Sequence, residues 1–148
     1  MRVLLQRSTS SYVSISNKVE GKIDKGLVIF VAFTLGDNTS IINKMVSKII
    51  NLRIFDDEKG LMNYSLLDTN GEILSISQFT LYSNCIKGRR PSFASALEYN
   101  KAKLLYDEFN ACLVKYNIKV SLGKFGSNMN VSINNSGPVT ILLDSDQI

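Results

Sequence analysis

The chain of 148 residues contains no histidine and no tryptophan, and only two prolines and two cysteines. The missing histidine excludes the most. No Ser-His-Asp or Cys-His arrangement can be assembled. A zinc site would lack its usual imidazole ligands and have only Cys85 and Cys112 for sulfur. No metal and no other cofactor is expected. The cysteines form no CxxC pair, and Met1 to Arg7 is too short and too soon interrupted by charge for a signal peptide. Reduced thiols and a cytoplasmic location are expected. Cys112 falls on a helical apolar face and reads as core. Cys85 lies beside Lys87, Arg89 and Arg90, where positive charge lowers a thiol pKa, but no imidazole can serve it as a base. No GxxxxGK[ST] or GxGxxG pattern occurs, so nucleotide hydrolysis and dinucleotide binding lack support. No apolar run approaches the roughly 18–20 residues of a membrane span.

What is present is ordinary in bulk. Hydrophobic residues make up 45% and charged residues 20%, and no linker or repeat divides the chain, so a single domain over 1–148 is expected. The net charge of +4 is compatible with a polyanionic partner, though a mildly basic balance has many other causes.

Val3 to Gln6, Tyr12 to Ile15 and Val19 to Ile23 read as strands. Leu27 to Phe33 is apolar on both faces, which predicts a central strand covered twice. A helix is expected from the capping residues at 37–40 to about Leu52, with Ile42, Met45, Val46, Ile49 and Ile50 on one stripe. Asp56 to Gly60 is an acidic turn without calcium-loop spacing. Asn63 to Leu67 and Glu72 to Leu81 read as strands joined in a hairpin at Asn70-Gly71. A second helix is expected from about Ala102 to Tyr116, with Leu105, Phe109, Cys112 and Leu113 inward. Strands follow at 119–124, 129–133 and 139–143. The fold class is α/β and strand-rich, with a curved or two-layered, barrel-like sheet and two main helices packed on one side.

With imidazole absent, chemistry falls to hydroxyls, amides, carbonyls and basic side chains. Ser77, Gln78 and Thr80 cluster at the end of a strand; strand alternation would put Ser77 and Phe79 on one face and Gln78 and Thr80 on the other. They are either the solvated side of that strand or part of a site. Lys87-Gly88-Arg89-Arg90 is either a solvated charge run or a phosphate-contacting loop. Gly137-Pro138 interrupts a strand-like segment. Proline cannot donate to a ladder and glycine weakens one, so the step marks a place where something approaches the backbone.

Several of these stretches, in order, resemble one family, the D-aminoacyl-tRNA deacylases. They are Arg2 to Arg7, Asn51 to Phe55, Ser77-Gln78-Phe79-Thr80-Leu81-Tyr82, Lys87 to Phe93, Phe125-Gly126 with Met129, and Asn135-Ser136-Gly137-Pro138-Val139-Thr140. The resemblance covers essentially the whole chain. It implies a metal-independent ester hydrolase that frees D-amino acids, and glycine, from the terminal adenosine at the 3′ end of tRNA. It implies a homodimer in which Gly137 and Pro138 form a Gly-cisPro element that enters the other subunit's pocket and excludes L substrates. By the same resemblance Arg7 braces that element, Ser77, Gln78 and Phe79 line the scissile ester, and Phe125 and Met129 border the adenosine. Lys87, Arg89 and Arg90 are the implied phosphate contacts. Thr80 is the obvious nucleophile by chemistry, but nothing in the sequence would activate it, so water is the expected attacking group. Neither DNA nor a membrane is an expected partner. A dimer that binds RNA without catalysis, and an esterase of small acyl substrates, are the alternative readings. Ser8 to Ser11 is richer in hydroxyls than the family's usual stretch, and Ser136 stands where an acid is frequent. A related branch with altered chirality rules typically has proline at the place of Ser77, so the serine favours the D-specific branch.

Overall fold

Every position from Leu27 to Val31 is apolar, and the computed structural model, which describes residues 1–148, covers this segment on both faces. The elements run β1 (Arg2–Ser8), β2 (Ser11–Ile15), β3 (Lys18–Ile23), β4 (Gly26–Ala32), α1 (Thr39–Asn51), β5 (Phe55–Asp56), β6 (Met62–Tyr64) and β7 (Glu72–Ser77). A 3₁₀ turn at Phe79–Tyr82 follows, then α2 (Tyr99–Val114), β8 (Val120–Leu122), β9 (Asn130–Ser132) and β10 (Asn135–Asp144). The main sheet has the order β10-β1-β4-β7-β8, with β1 antiparallel to both of its neighbours and β4, β7 and β8 mutually parallel. Leu27, Ile29 and Val31 of β4 pack with α1 and α2, whereas Val28 faces a second sheet of order β3-β2-β9. The two sheets therefore form layers with both helices on one outer face, and the main sheet stays open rather than closing into a barrel.

The helices follow the expected stripe. Ile42, Met45, Val46, Ile49 and Ile50 of α1 are all buried, and the Asn38 side chain caps the helix by accepting from the amides of Ser40 and Ile41 at 3.0 and 3.2 Å. Helix α2 starts at Tyr99, earlier than the Ala102 expected from pattern. Its cap is the Glu98 carboxylate, which accepts from the amides of Asn100 and Lys101 at 2.9 and 3.3 Å. Neither helix is long and apolar enough to cross a membrane.

Two expectations fail. The hairpin at Asn70-Gly71 does not form. Asp68 accepts from the amide and hydroxyl of Ser65 at 2.8 and 2.7 Å, folding residues 65–69 into a side-chain-closed turn. β6 pairs instead with β5, and β7 lies between β4 and β8 because Ile73, Leu74 and Ile76 are apolar on both faces. The strand expected to reach Leu81 ends at Ser77. The Gln78 amide still donates to Val31 O at 2.8 Å, but the chain then turns into the 3₁₀ segment, so the alternation expected for Gln78, Phe79 and Thr80 is lost.

Candidate active site

Parallel strands β4 and β7 end side by side, and the carboxyl ends of parallel strands are where α/β folds open crevices for ligands. A cavity of about 740 Å³ lies there. Its floor is Val31, Phe33 and Ile76, and its rim includes Ser77, Gln78 and Phe79 at the exit of β7. The segment between β8 and β9 supplies Phe125, Gly126 and Met129, and the head of α2 supplies Tyr99 and Ala102. Thirteen of the eighteen lining residues are hydrophobic, so a ligand would be held by shape with a few polar groups setting its orientation.

The walls are fixed by specific contacts. Phe125 packs against the rings of Tyr99 and Tyr106 at 5.2 and 5.5 Å, and Tyr106 is held by its hydroxyl donating to Ser75 O at 2.8 Å. Burial pushes the Tyr106 phenol up, so it remains a neutral donor. Gly126 has φ +72°, and a Cβ there would lie 2.5 Å from the Tyr99 hydroxyl, so the close approach of this segment to α2 requires glycine. The Met129 sulfur accepts from the Lys124 amide at 3.3 Å. The 3₁₀ turn is tethered to β1, where Arg2 donates to Leu81 O at 3.0 Å, stacks over the Tyr82 ring and pairs with Asp144 at 2.8 Å. Burial disfavours the ionised Asp144, but the Arg2 guanidinium and the Asp146 amide together hold its carboxyl below the usual range. Burial also raises the Tyr82 phenol well above its ordinary value.

Thr80 stands just outside this lining. Its Oγ1 accepts from Gln78 Nε2 at 2.5 Å, so its near neighbour is a donor and offers no base to take its proton. Lys87, Arg89 and Arg90 sit in an exposed loop whose base is closed by reciprocal backbone bonds between Asn84 and Ser92 at 2.8 and 2.9 Å. The next residue, Phe93, meets the Phe79 ring edge-on at 5.0 Å, which sets the basic loop beside the cavity rim.

Gly137 and Pro138 do not join this cavity. Both are exposed and linked by a cis peptide bond. They form the crest of a bulge: Gln6 faces Thr140 and Ser8 faces Asn135, so residues 136–139 of β10 stand opposite Arg7 alone. Val139 anchors the bulge in the core at 8% exposure. Asn135 closes its base, accepting from the Val139 amide at 3.3 Å and donating to Thr140 Oγ1 at 2.8 Å; Gln6 Nε2 donates to the same hydroxyl at 3.1 Å. Arg7 braces the other side. Its Nε donates to Ser136 O at 3.2 Å, and its Nη1 donates to Ile54 O at 2.9 Å and pairs with Asp56 at 2.8 Å. Within one chain, then, Ser77, Gln78, Phe79, Phe125 and Met129 come together, and a buried Arg7 with the exposed Gly137 and Pro138 forms a second group.

Sequence reasoning overlooked Tyr99 and Phe33 as cavity wall, and Arg2, Asn135, Thr140, Ile54 and Asp56 as supports. Asn135 and Thr140 lie inside a quoted motif, but their part depends on a bulge whose register is visible only in three dimensions.

Known proteins carry the same chain plan. A family model described as D-Tyr-tRNA(Tyr) deacylase matches residues 4–144. A D-aminoacyl-tRNA deacylase of Thermosipho africanus (strain TCF52B) is 52% identical over 100% of this chain and 99% of its own. One of Aquifex aeolicus (strain VF5) is 50% identical over all of both chains. The solved structure of the c-Myc DNA Unwinding Element Binding Protein superposes with a TM-score of 0.91 at 36% identity, covering 97% of this chain and 98% of that one.

Proposed function

This chain belongs to the D-Tyr-tRNA(Tyr) deacylase family and is a D-aminoacyl-tRNA deacylase, a hydrolase; from that premise we propose how its residues divide the work. The cavity at the ends of β4 and β7 takes the terminal adenosine and its ester. Phe125 and Met129 border the base, and Ser77, Gln78 and Phe79 line the ester. Backbone amides of this turn receive the negative charge that develops on the carbonyl oxygen. Water attacks, assisted by the substrate's ribose hydroxyl, because the chain offers no imidazole and Thr80 is hydrogen-bonded to a donor.

Handedness is judged by the Gly137-Pro138 crest of a second subunit entering the cavity. The observation that carries this reading is the crest's position: it is braced by Arg7 and Asn135, yet it is exposed and takes no part in lining the cavity of its own chain. Once the ester and α-amino group are held, the other two substituents of the α-carbon have two places to go. Main chain filling the place of an L side chain excludes it by overlap, whereas the D side chain points into open space. Such exclusion surpasses pocket discrimination of a methylene, which is worth about 1–3 kcal/mol. Glycine, with no side chain, passes the same filter, so glycyl-tRNA is also a substrate. The enzyme acts as a homodimer in the cytoplasm.

The test offers the protein D-tyrosyl-tRNA and L-tyrosyl-tRNA separately. Release of the D amino acid alone is expected. Binding of both without release would favour an RNA-binding dimer, and equal cleavage of free D-aminoacyl esters would favour a small-molecule esterase. Thr80→Ala is expected to lower kcat less than about tenfold, since it removes a hydrogen bond worth roughly 0.5–1.5 kcal/mol and no covalent step; an acyl-threonine adduct found by mass spectrometry would overturn that assignment. Arg89→Gln with Arg90→Gln is expected to weaken tRNA binding and reduce the slope of log K against log salt by about 1–2. An unchanged slope would remove the loop from the RNA contact.

A further inference from the structure

The two helices differ in how they meet solvent. The outer face of α2 mixes signs, with Lys101, Lys103, Asp107 and Glu108 along it and a Lys103–Asp107 pair at 2.5 Å. That is the usual pattern of a solvated helix. The outer face of α1 has no acid at all. Lys44 and Lys48 stand one turn apart, where like charges oppose helix formation, and no residue of the helix offsets them. Beside them Asn43, Ser47 and Asn51 repeat every fourth position, and Arg53 follows the helix end. All six are exposed, and with Leu52 and the last residue, Ile148, they line a shallow cleft of about 770 Å³ that holds no Asp or Glu side chain.

None of the three cations is engaged in an ion pair. Arg53 is nevertheless oriented, because its Nε donates to Asn63 O at 2.7 Å and its Nη2 donates to Asn63 Oδ1. Asn51 is likewise fixed by donating to Ser47 O at 2.8 Å. Three cationic side chains with amides and a hydroxyl between them suit a row of phosphates: the charges outnumber the one carboxylate that the end of the chain brings at Ile148, and the neutral groups supply hydrogen bonds to phosphate and sugar oxygens.

Its place in the fold connects it to the site. Arg53 precedes Ile54, whose carbonyl accepts from Arg7, and Arg7 also holds Ser136 in the bulge. Hydrogen bonds of one guanidinium thus join the segment that follows the cleft to the Gly137-Pro138 bulge. We infer that the α1 cleft binds backbone phosphates of the tRNA substrate, adding a second anchor to the Lys87–Arg90 loop. This rests on the reading that the protein acts on tRNA, with the crest entering a partner's cavity.

The test compares wild type with Lys44→Glu/Lys48→Glu, and with Lys44→Gln/Lys48→Gln to guard against damage from the charge reversal. Three quantities are measured: binding of uncharged tRNA against salt, kinetics on D-tyrosyl-tRNA, and kinetics on D-tyrosyl-adenosine, which has the same ester and no phosphate chain. The glutamate variant is expected to raise KM for the tRNA at least about tenfold with kcat retained. Its salt slope should fall by about 1–2, as expected for the loss of two phosphate contacts. The adenosine ester should be cleaved at the wild-type rate. The glutamine variant should show the same pattern more weakly. Wild-type KM and salt slope in both variants would overturn the proposal, as would an equal loss on the adenosine ester. If wild type cleaves neither ester, the function proposed above fails, and the salt slope for uncharged tRNA still decides the cleft.

Discussion

Replacing Gly137 by alanine is expected to cut kcat/KM for D-aminoacyl-tRNA by about 100-fold, the order seen when catalytic geometry shifts by about 1 Å, while leaving the protein folded. Two local facts drive this. Gly137 has φ +118°, a region L residues rarely adopt, at a cost of about 1–3 kcal/mol. The added Cβ would also lie 2.8 Å from Val139 Cγ2, 3.0 Å from Arg7 Nη2 and 3.1 Å from the Val139 amide. Val139 is buried in the core and Arg7 is tied at three points, so neither neighbour can yield freely. The crest must move instead. Because residues 136–139 bulge away from the β1–β10 ladder, that movement leaves the remaining pairs intact, and the melting temperature should fall by only a few degrees. The ratio of D to L cleavage should fall with the rate. A variant with wild-type kinetics and an unchanged D-to-L ratio would show that the crest takes no part in selection.

The parts of this fold that were legible in the sequence are those whose pattern is decided locally. The two-faced apolar run of β4 and the α1 stripe announce a covered central strand and a packed helix, and both are found. The failures have local competitors. Asn70-Gly71 has hairpin chemistry, but Ser65 and Asp68 close their own turn first, and β7 pairs along both edges with parallel neighbours while the helices and the second sheet cover its two faces. Glu98 is not a favoured cap, so the true start of α2 was hidden, and with it Tyr99 as a cavity wall. The candidate site was legible only as scattered motifs. Ser77–Phe79 and Phe125–Met129 meet because β7 and β8 are parallel neighbours, which no local spacing encodes. The separation of the cavity from Gly137-Pro138 likewise follows from the sheet order, in which β10 occupies the edge far from β7.

That edge position explains why Arg7→Met should be the most damaging single change outside the cavity. Methionine keeps much of the volume and removes every donor. Ile54 O and Ser136 O would each lose a charged donor, and hydrogen bonds to charged groups contribute about 1.5–3 kcal/mol apiece. The Asp56 pair adds little, since that carboxylate is half exposed and rehydrates when its partner leaves. A net loss of roughly 2–4 kcal/mol is expected, or about 5–15 °C in melting temperature for a chain of this size. Activity should fall further than stability. At a temperature where the variant is fully folded, kcat/KM should still drop by about 100-fold, because the crest loses the brace that fixes its direction. Arg7→Lys separates charge from geometry. One ammonium on a flexible stem cannot span Ser136, Ile54 and Asp56 as a planar fork does, so lysine should restore most of the stability and little of the rate. Full recovery of activity in Arg7→Lys would mean that positive charge beside the bulge, and not its orientation, is what the reaction needs.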